Sequence, residues 1–180
     1  MTIIAIIVLG LVILLVIALA LTFVVHLLVL KVPYVPTPMK VAREMVRLAE
    51  LKGTERVFDL GAGDARLLIL AKREHPGITA IGSEAMPTIW ILGKLRAWFL
   101  RSPLELHMSN ALTEDVSRAD VIFLYVMPGM MEKLESKFDA ELKRGVRVIS
   151  HTFPFPGRKP VKEVRVAWGR GWKKLFVYEW

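Results

Sequence analysis

Three acids, two glycines and one amide stand at spacings suited to holding a small ligand. The stretch "RVFDLGAGDA" puts Asp59 two residues before Gly61, with Ala62, Gly63 and Asp64 behind it. Glu84 closes "AIGSE", and Asn110 falls in "HMSNAL". Glycines after a strand let a backbone come close to a bound molecule. The turn is not the nicotinamide fingerprint. Gly61 and Gly63 fit G-x-G-x-x-G, but Arg66 takes the last position. The phosphate-cradling G-x-x-x-x-G-K-[ST] is absent. An acid just ahead of the glycines suits a cationic ligand instead.

S-adenosylmethionine is such a ligand, with a sulfonium, an amino group and a carboxylate. Asp59 is placed to orient the amino end, directly or through water. The N–H groups of Gly61, Ala62, Gly63 and Asp64 are placed to support the carboxylate. Glu84, about 20 residues beyond the glycines, is placed to accept from the ribose hydroxyls. Asn110, after the third strand, is placed to meet the adenine edge. The plainer alternative makes Asp59 a turn cap and Glu84 a solvated strand end. No His, Cys, Asp or Glu group has metal-ligand spacing, so no metal is expected. With no cysteine in the chain, thiolate attack on a cytosine ring is excluded. "YVMP" stands where enzymes acting on planar amides or adenine carry N-P-P-Y.

Strands and helices must alternate to position these residues. "RVFDL", "ITAIGSE", "LELHMSN", "ADVIFLYVM" and "VRVIS" read as strands. Helices fall between them at "DARLLILAKREH", "MPTIWILGKLRAWFL" and "GMMEKLESKFDAELKRG", the last stopped by Gly145. Apolar strands alternating with helices predict a Rossmann-like α/β fold with a mostly parallel, doubly wound sheet. "VKEVRVAW" and "KKLFVYEW" around "GRG" predict a closing β-hairpin. The stretch "HTFPFPGRKP" is too short for a full helix before it.

The N-terminal segment is of another kind. Residues 2–30 hold no charged side chain, and a bilayer-spanning helix needs roughly 20 apolar residues. An uncharged start and an overlong apolar core argue against a cleaved signal peptide. Residues 1–30 are therefore read as a membrane anchor, with His26 near the interface. Residues 31–40 form a linker stiffened by Pro33, Pro36 and Pro38, and residues 41–180 the globular domain. Lys31, Lys40, Arg43 and Arg47 follow the span, so the positive-inside rule puts the N-terminus outside and the domain in the cytoplasm. The net charge of +8 lies wholly after the span, and a basic tail beside a membrane is drawn to anionic headgroups. Specific nucleic-acid binding is not expected.

"DLGAGDA" resembles the first motif of class I S-adenosylmethionine-dependent methyltransferases, with Ala65 where a third glycine is common. "YVPTP", "DLGAGD", "MPGMMEKLESKF" and "FPFPG" together resemble one group. This is the membrane-anchored protein-lysine methyltransferases whose mitochondrial members modify the c-ring protein of ATP synthase and the adenine nucleotide translocase. Ala65, and Asn110 where many methyltransferases carry an acid, depart from the pattern. The resemblance implies S-adenosylmethionine as cofactor and a lysine on a membrane protein as acceptor. It also implies that "YVPTP" closes over the cofactor, with Thr37 hydrogen-bonding near it.

A neutral amine acceptor wants aromatic walls. Tyr34, Tyr125, Phe153 and Phe155 are the candidates, Tyr125 also reaching the cofactor, and Met127 and Pro128 would shape the methyl channel. Tyr34 serves equally as an interfacial anchor, and Phe153 and Phe155 as packing for the sheet end. His107 reads as a strand residue; His151, just after the fifth strand, is left open. Two rivals remain. One is a methyltransferase for a lipid, quinone or other hydrophobic small molecule. The other is a non-catalytic cofactor-binding scaffold at the membrane.

Overall fold

The computed structural model describes residues 2–30 and 34–180. Lys31 and Pro33 of the expected linker, and the side chain of His26, lie outside the described residues. The chain divides into two compact units, Met1–Val35 and Pro36–Trp180.

The first unit is the helix α1 (Thr2–Leu30). Its stretch Ile3–Val25 is long and apolar enough to cross a membrane. The hydroxyl of Thr22 donates to the Ala18 carbonyl at 2.7 Å, so that polar group is satisfied within the helix, as a bilayer interior requires.

The second unit carries α2 (Met39–Ala49), β1 (Arg56–Leu60), α3 (Arg66–Glu74), β2 (Thr79–Ser83), α4 (Pro87–Phe99) and β3 (Glu105–His107). It continues with β4 (Val121–Leu124), α5 (Pro128–Glu141), β5 (Arg147–His151), β6 (Lys162–Trp168) and β7 (Gly171–Glu179). The strands form one sheet in the order β3-β2-β1-β4-β5-β7-β6. β1 to β5 run parallel, and β7 enters antiparallel to β5 with β6 outside it. This is the expected architecture, hairpin included.

Alternate strand residues face opposite sides of a sheet, and two cores result. Val57, Val121, Phe123 and Ile149 pack with α2, α3 and Ala97 of α4. Phe58, Leu60, Ile122, Leu124 and Val148 pack with Met131, Leu134 and Phe138 of α5. Proline opens both α4 and α5, where its missing N–H has no helical partner to lose. α5 ends at Glu141, earlier than the expected stop at Gly145. The N–H of Gly145 instead donates to the carbonyl of Trp180, tying that loop to the chain end. α2 begins at Met39, inside the stretch expected as linker.

Candidate active site

In an open parallel sheet ligands bind beyond the carboxyl ends of the strands. At the end of β1 the chain turns through Gly61 (φ 88°) and Gly63 (φ 58°), a backbone open to residues without a Cβ. The N–H groups of Gly61 and Ala62 donate to the Ser83 carbonyl at 2.9 and 2.8 Å. Gly63 donates to Glu84 Oε2 at 3.0 Å. These three N–H groups therefore bind the turn to the end of β2. This corrects the expectation that they support a ligand carboxylate: β2 lies close enough to take them all.

Three carboxyls gather around the turn. Asp59 is buried, and among the described residues its carboxyl has no hydrogen bond or ion pair. Burial, and then the charges of Glu84 and Asp64, push its pKa up to about 8. Glu84 accepts from Met86 N–H at 2.8 Å through its other oxygen. A carboxylate offers about four lone-pair directions, so acceptor capacity remains for a diol. Asp64 is committed elsewhere. Arg66 donates to it through Nε and Nη2 at 2.8 Å, and Arg96 of α4 also pairs with it. Burial raises the Asp64 pKa, but the hydrogen bond and charge of Arg66, with Arg96, outweigh it and hold the group below its ordinary value. Asp64 thus braces the turn. Arg66 also donates to the Thr37 carbonyl at 3.3 Å, tying that buried residue to the same turn.

Sequence reasoning missed Arg66, Arg96 and Gly93. A Cβ at Gly93 would lie 3.1 Å from the Gly63 carbonyl oxygen, so the glycine lets α4 approach the turn. Its signal was the small-residue spacing on the inner face of α4, Ile89, Gly93 and Ala97. Asn110 is exposed in the turn after β3. Its Oδ1 accepts from Leu112 N–H at 2.9 Å and its carbonyl from Thr113 N–H at 2.9 Å. Below it, His107 Nδ1 lies 2.7 Å from Glu114 Oε1.

The ends of β4 and β5 differ in character. The rings of Tyr125 and His151 stack with centroids 4.0 Å apart. His151 is fully buried, and neither ring nitrogen has a partner among the described residues. Burial, and then the charge of Lys173, push its pKa down to about 4, so the ring is neutral at pH 7. Thr152 follows with φ 73°, uncommon for a β-branched residue and a mark of local strain. Ser150 Oγ donates to the Phe153 carbonyl at 2.6 Å, holding the half-buried Phe153 in the same turn. Phe155 lies elsewhere: it is 3% exposed and packs edge-to-face on Phe138, Tyr178 and Trp180. Its N–H donates to the Tyr178 hydroxyl at 3.0 Å. That places it in the core behind the acceptor end. Met127 is exposed just before α5. Tyr34 belongs to the unit Met1–Val35 and is described with α1.

The residues fit a cationic, polyhydroxylated ligand. Asp59 is a buried acid without a partner, and Ser83 Oγ and Thr88 Oγ1 are buried hydroxyls likewise without one among the described residues. The sheet order, the glycine turn and the acid ending β2 define a class I S-adenosylmethionine-dependent methyltransferase. The chain belongs to the ANTKMT methyltransferase domain family, whose model matches residues 59–162. It is 32% identical over 149 residues to a protein-lysine N-methyltransferase of Saccharolobus islandicus, covering 82% of this chain and 92% of the relative. It is 31% identical over 130 residues to the Homo sapiens lysine N-methyltransferase of the ATP synthase c-ring protein, covering 71% and 54%. The adenine nucleotide translocase lysine N-methyltransferase of Mus musculus is 30% identical over 153 residues, covering 83% and 64%. The chain thus spans less than two thirds of the length of these two mammalian relatives. An RNA methyltransferase from Salinibacter ruber, solved with S-adenosyl-L-homocysteine, superposes with a TM-score of 0.75 at 28% identity, covering 81% of this chain and 93% of that one.

Proposed function

We propose that this enzyme methylates a lysine side chain of a membrane or membrane-associated protein, from a domain anchored to the same membrane by α1. The lysine acceptor is supported by the names of relatives that match most of this chain. The observation in this chain that carries the chemistry is the pairing of an unpartnered buried acid, Asp59, with the uncharged stack of Tyr125 and His151.

Asp59 would hold the ammonium of S-adenosylmethionine, Glu84 its ribose hydroxyls and Asn110 its adenine edge. Gly61, Ala62 and Gly63 give it close approach, with Thr37 and Asp64 bracing the turn. When bound, that cofactor supplies a methyl group on a positively charged sulfur already set to leave. The chain then has to position a neutral amine in line, which is a matter of alignment more than of acid or base. Desolvation among aromatic rings lowers an amine's pKa and favours the neutral form. His151, with its pKa near 4, is far too weak a base to take a lysine proton. The proton passes to water. Tyr125, Phe153 and Tyr34 act as faces that orient the amine and tolerate its cationic product, with Phe155 packing behind them. Residues 1–30 serve as anchor, 31–40 as linker and 41–180 as catalytic domain. The charges after the span support an outside N-terminus, and the basic tail supports contact with anionic lipid.

The test is transfer of labelled methyl from S-adenosylmethionine by the full-length protein in its host's membranes, with Asp59→Ala as control. Label on a lysine of a small membrane protein, lost in the variant, is the expected result. Label only in the lipid extract would replace this reading with the small-molecule one. Label in RNA would place this chain beside the Salinibacter enzyme instead. Cofactor binding with no label anywhere would leave the scaffold.

A further inference from the structure

The outer helices of this domain follow one rule, with a single exception. Outward positions are Arg43 and Arg47 on α2, Arg73 and Glu74 on α3, and Glu132 and Asp139 on α5. α4 breaks the rule. Its inner face is Ile89, Gly93 and Ala97. Around the rest of its circumference Leu92, Leu95, Trp98 and Phe99 are 45–73% exposed, and Leu100 follows at 52%. A helix apolar on all sides is normally covered on all sides, and a contiguous exposed apolar patch marks an interaction site.

We propose that this outer face of α4 is a second membrane contact, seated in the anionic bilayer that holds α1. The inference rests on reading α1 as a membrane anchor. Three observations favour lipid over other occupants. Eight residues, 31–38, join α1 to α2, and at about 3.5 Å per residue they reach no further than about 28 Å. A domain on so short a tether never leaves the surface. Trp98 and Phe99 pack edge-to-face, with centroids 4.8 Å apart, at the exposed end of the helix, and aromatic side chains concentrate at membrane interfaces. Cations fringe the patch. Lys94 lies over the Trp90 ring on the flank of α4, and Lys72, Arg73 and Arg101 line a shallow cleft against Leu100. Anionic headgroups attract such a fringe.

A functional consequence follows from the topology. α4 connects two parallel strands, β2 and β3, so it runs back along the sheet. Seating its outer face in lipid lays the strands roughly in the membrane plane. Their carboxyl ends, with Asp59 and Tyr125, then open sideways along the surface. A lysine just outside a neighbouring protein's membrane span lies at that height.

The chain has no cysteine, so a single introduced one can be labelled uniquely. Full-length Leu95→Cys and, on α5, Ser136→Cys would each carry an environment-sensitive fluorophore. Each would be placed as one copy per nanodisc of phosphatidylcholine and phosphatidylglycerol. The expected result is a blue-shifted Leu95→Cys label quenched by brominated acyl chains, while the Ser136→Cys label is quenched by aqueous iodide. Adding Trp98→Glu and Phe99→Glu would reverse the shift while S-adenosylhomocysteine binding persists. A water-like Leu95→Cys label in a disc-integrated, ligand-binding chain would overturn the proposal. So would a shift that needs two copies per disc, or that needs an added membrane protein. Chain lost from the discs altogether would overturn the anchor reading, and this inference with it.

Discussion

The two halves of the catalytic end of the sheet treat charge in opposite ways. Around β1 and β2, three carboxyls crowd one turn, and the most buried is held protonated up to about pH 8. Around β4 and β5 a histidine is held neutral down to about pH 4. Burial acts on both, always against the charged form. The first half is thus prepared for a positive charge brought by a ligand. The second is prepared for a nucleophile that has given its charge up. A sulfonium donor and an amine acceptor need that division.

Removing the acid tests it most severely. Asp59→Asn should weaken S-adenosylhomocysteine binding by about one to two orders of magnitude, since a hydrogen bond to a charged group is worth about 1.5–3 kcal/mol. Thermal stability at pH 8 should not fall, because an unpartnered buried carboxyl is lost. In the unaltered enzyme, titration calorimetry should find affinity rising about tenfold per pH unit up to about pH 8. The variant should show no such slope.

Filling the gap behind the turn is next. Gly93→Val should destabilise the domain by about 1–3 kcal/mol and weaken ligand binding with it, as the Gly63 carbonyl is displaced. Denaturant melts would measure the first effect and calorimetry the second. On the opposite half, Tyr125→Leu should lower kcat by about two- to thirtyfold, the range that a cation–π contact of about 0.5–2 kcal/mol allows. If ligand affinity fell as much as kcat, the division between the halves would fail.

The pH dependence of folding should carry both signatures with opposite sign. Asp59 titrates higher in the folded chain than its ordinary 3.8. It contributes stability that is full below about pH 4 and lost as pH rises through about 8. His151 titrates lower than its ordinary 6.5. Its contribution is present above about pH 6.5 and lost as pH falls through about 4. In urea melts across pH, Asp59→Asn should flatten the alkaline limb and His151→Gln the acid one. The smallest effect concerns Ala65, which sits at φ 59°. Ala65→Gly should relieve about 1 kcal/mol of backbone strain while losing a buried methyl, leaving stability within about 1 kcal/mol.

Much of this was legible without coordinates. The span in α1, the strand–helix alternation, the glycine turn with its acid, and the closing hairpin each rest on contacts between near neighbours in sequence. The family resemblance rode on such local motifs. Other features were not legible. Arg96 reaches Asp64 across 32 positions, and nothing in "KLRAWF" signals an inward arginine. Phe153 and Phe155 look alike in "FPFP", yet one lies half-buried in the turn after β5 and the other is sealed in the core. The apolar outer face of α4 looked like ordinary core in "TIWILGKLRAWF".

The sequence by itself determined the order of elements, the membrane span, the cofactor class and the acid at the head of its site. Side-chain period, backbone freedom at glycine and runs of apolar residues are properties of short stretches. Only the tertiary structure decided which acid is left without a partner, which histidine stays neutral and which helix keeps its apolar face uncovered. Burial and pairing depend on what the rest of the chain brings alongside, and no short stretch contains that.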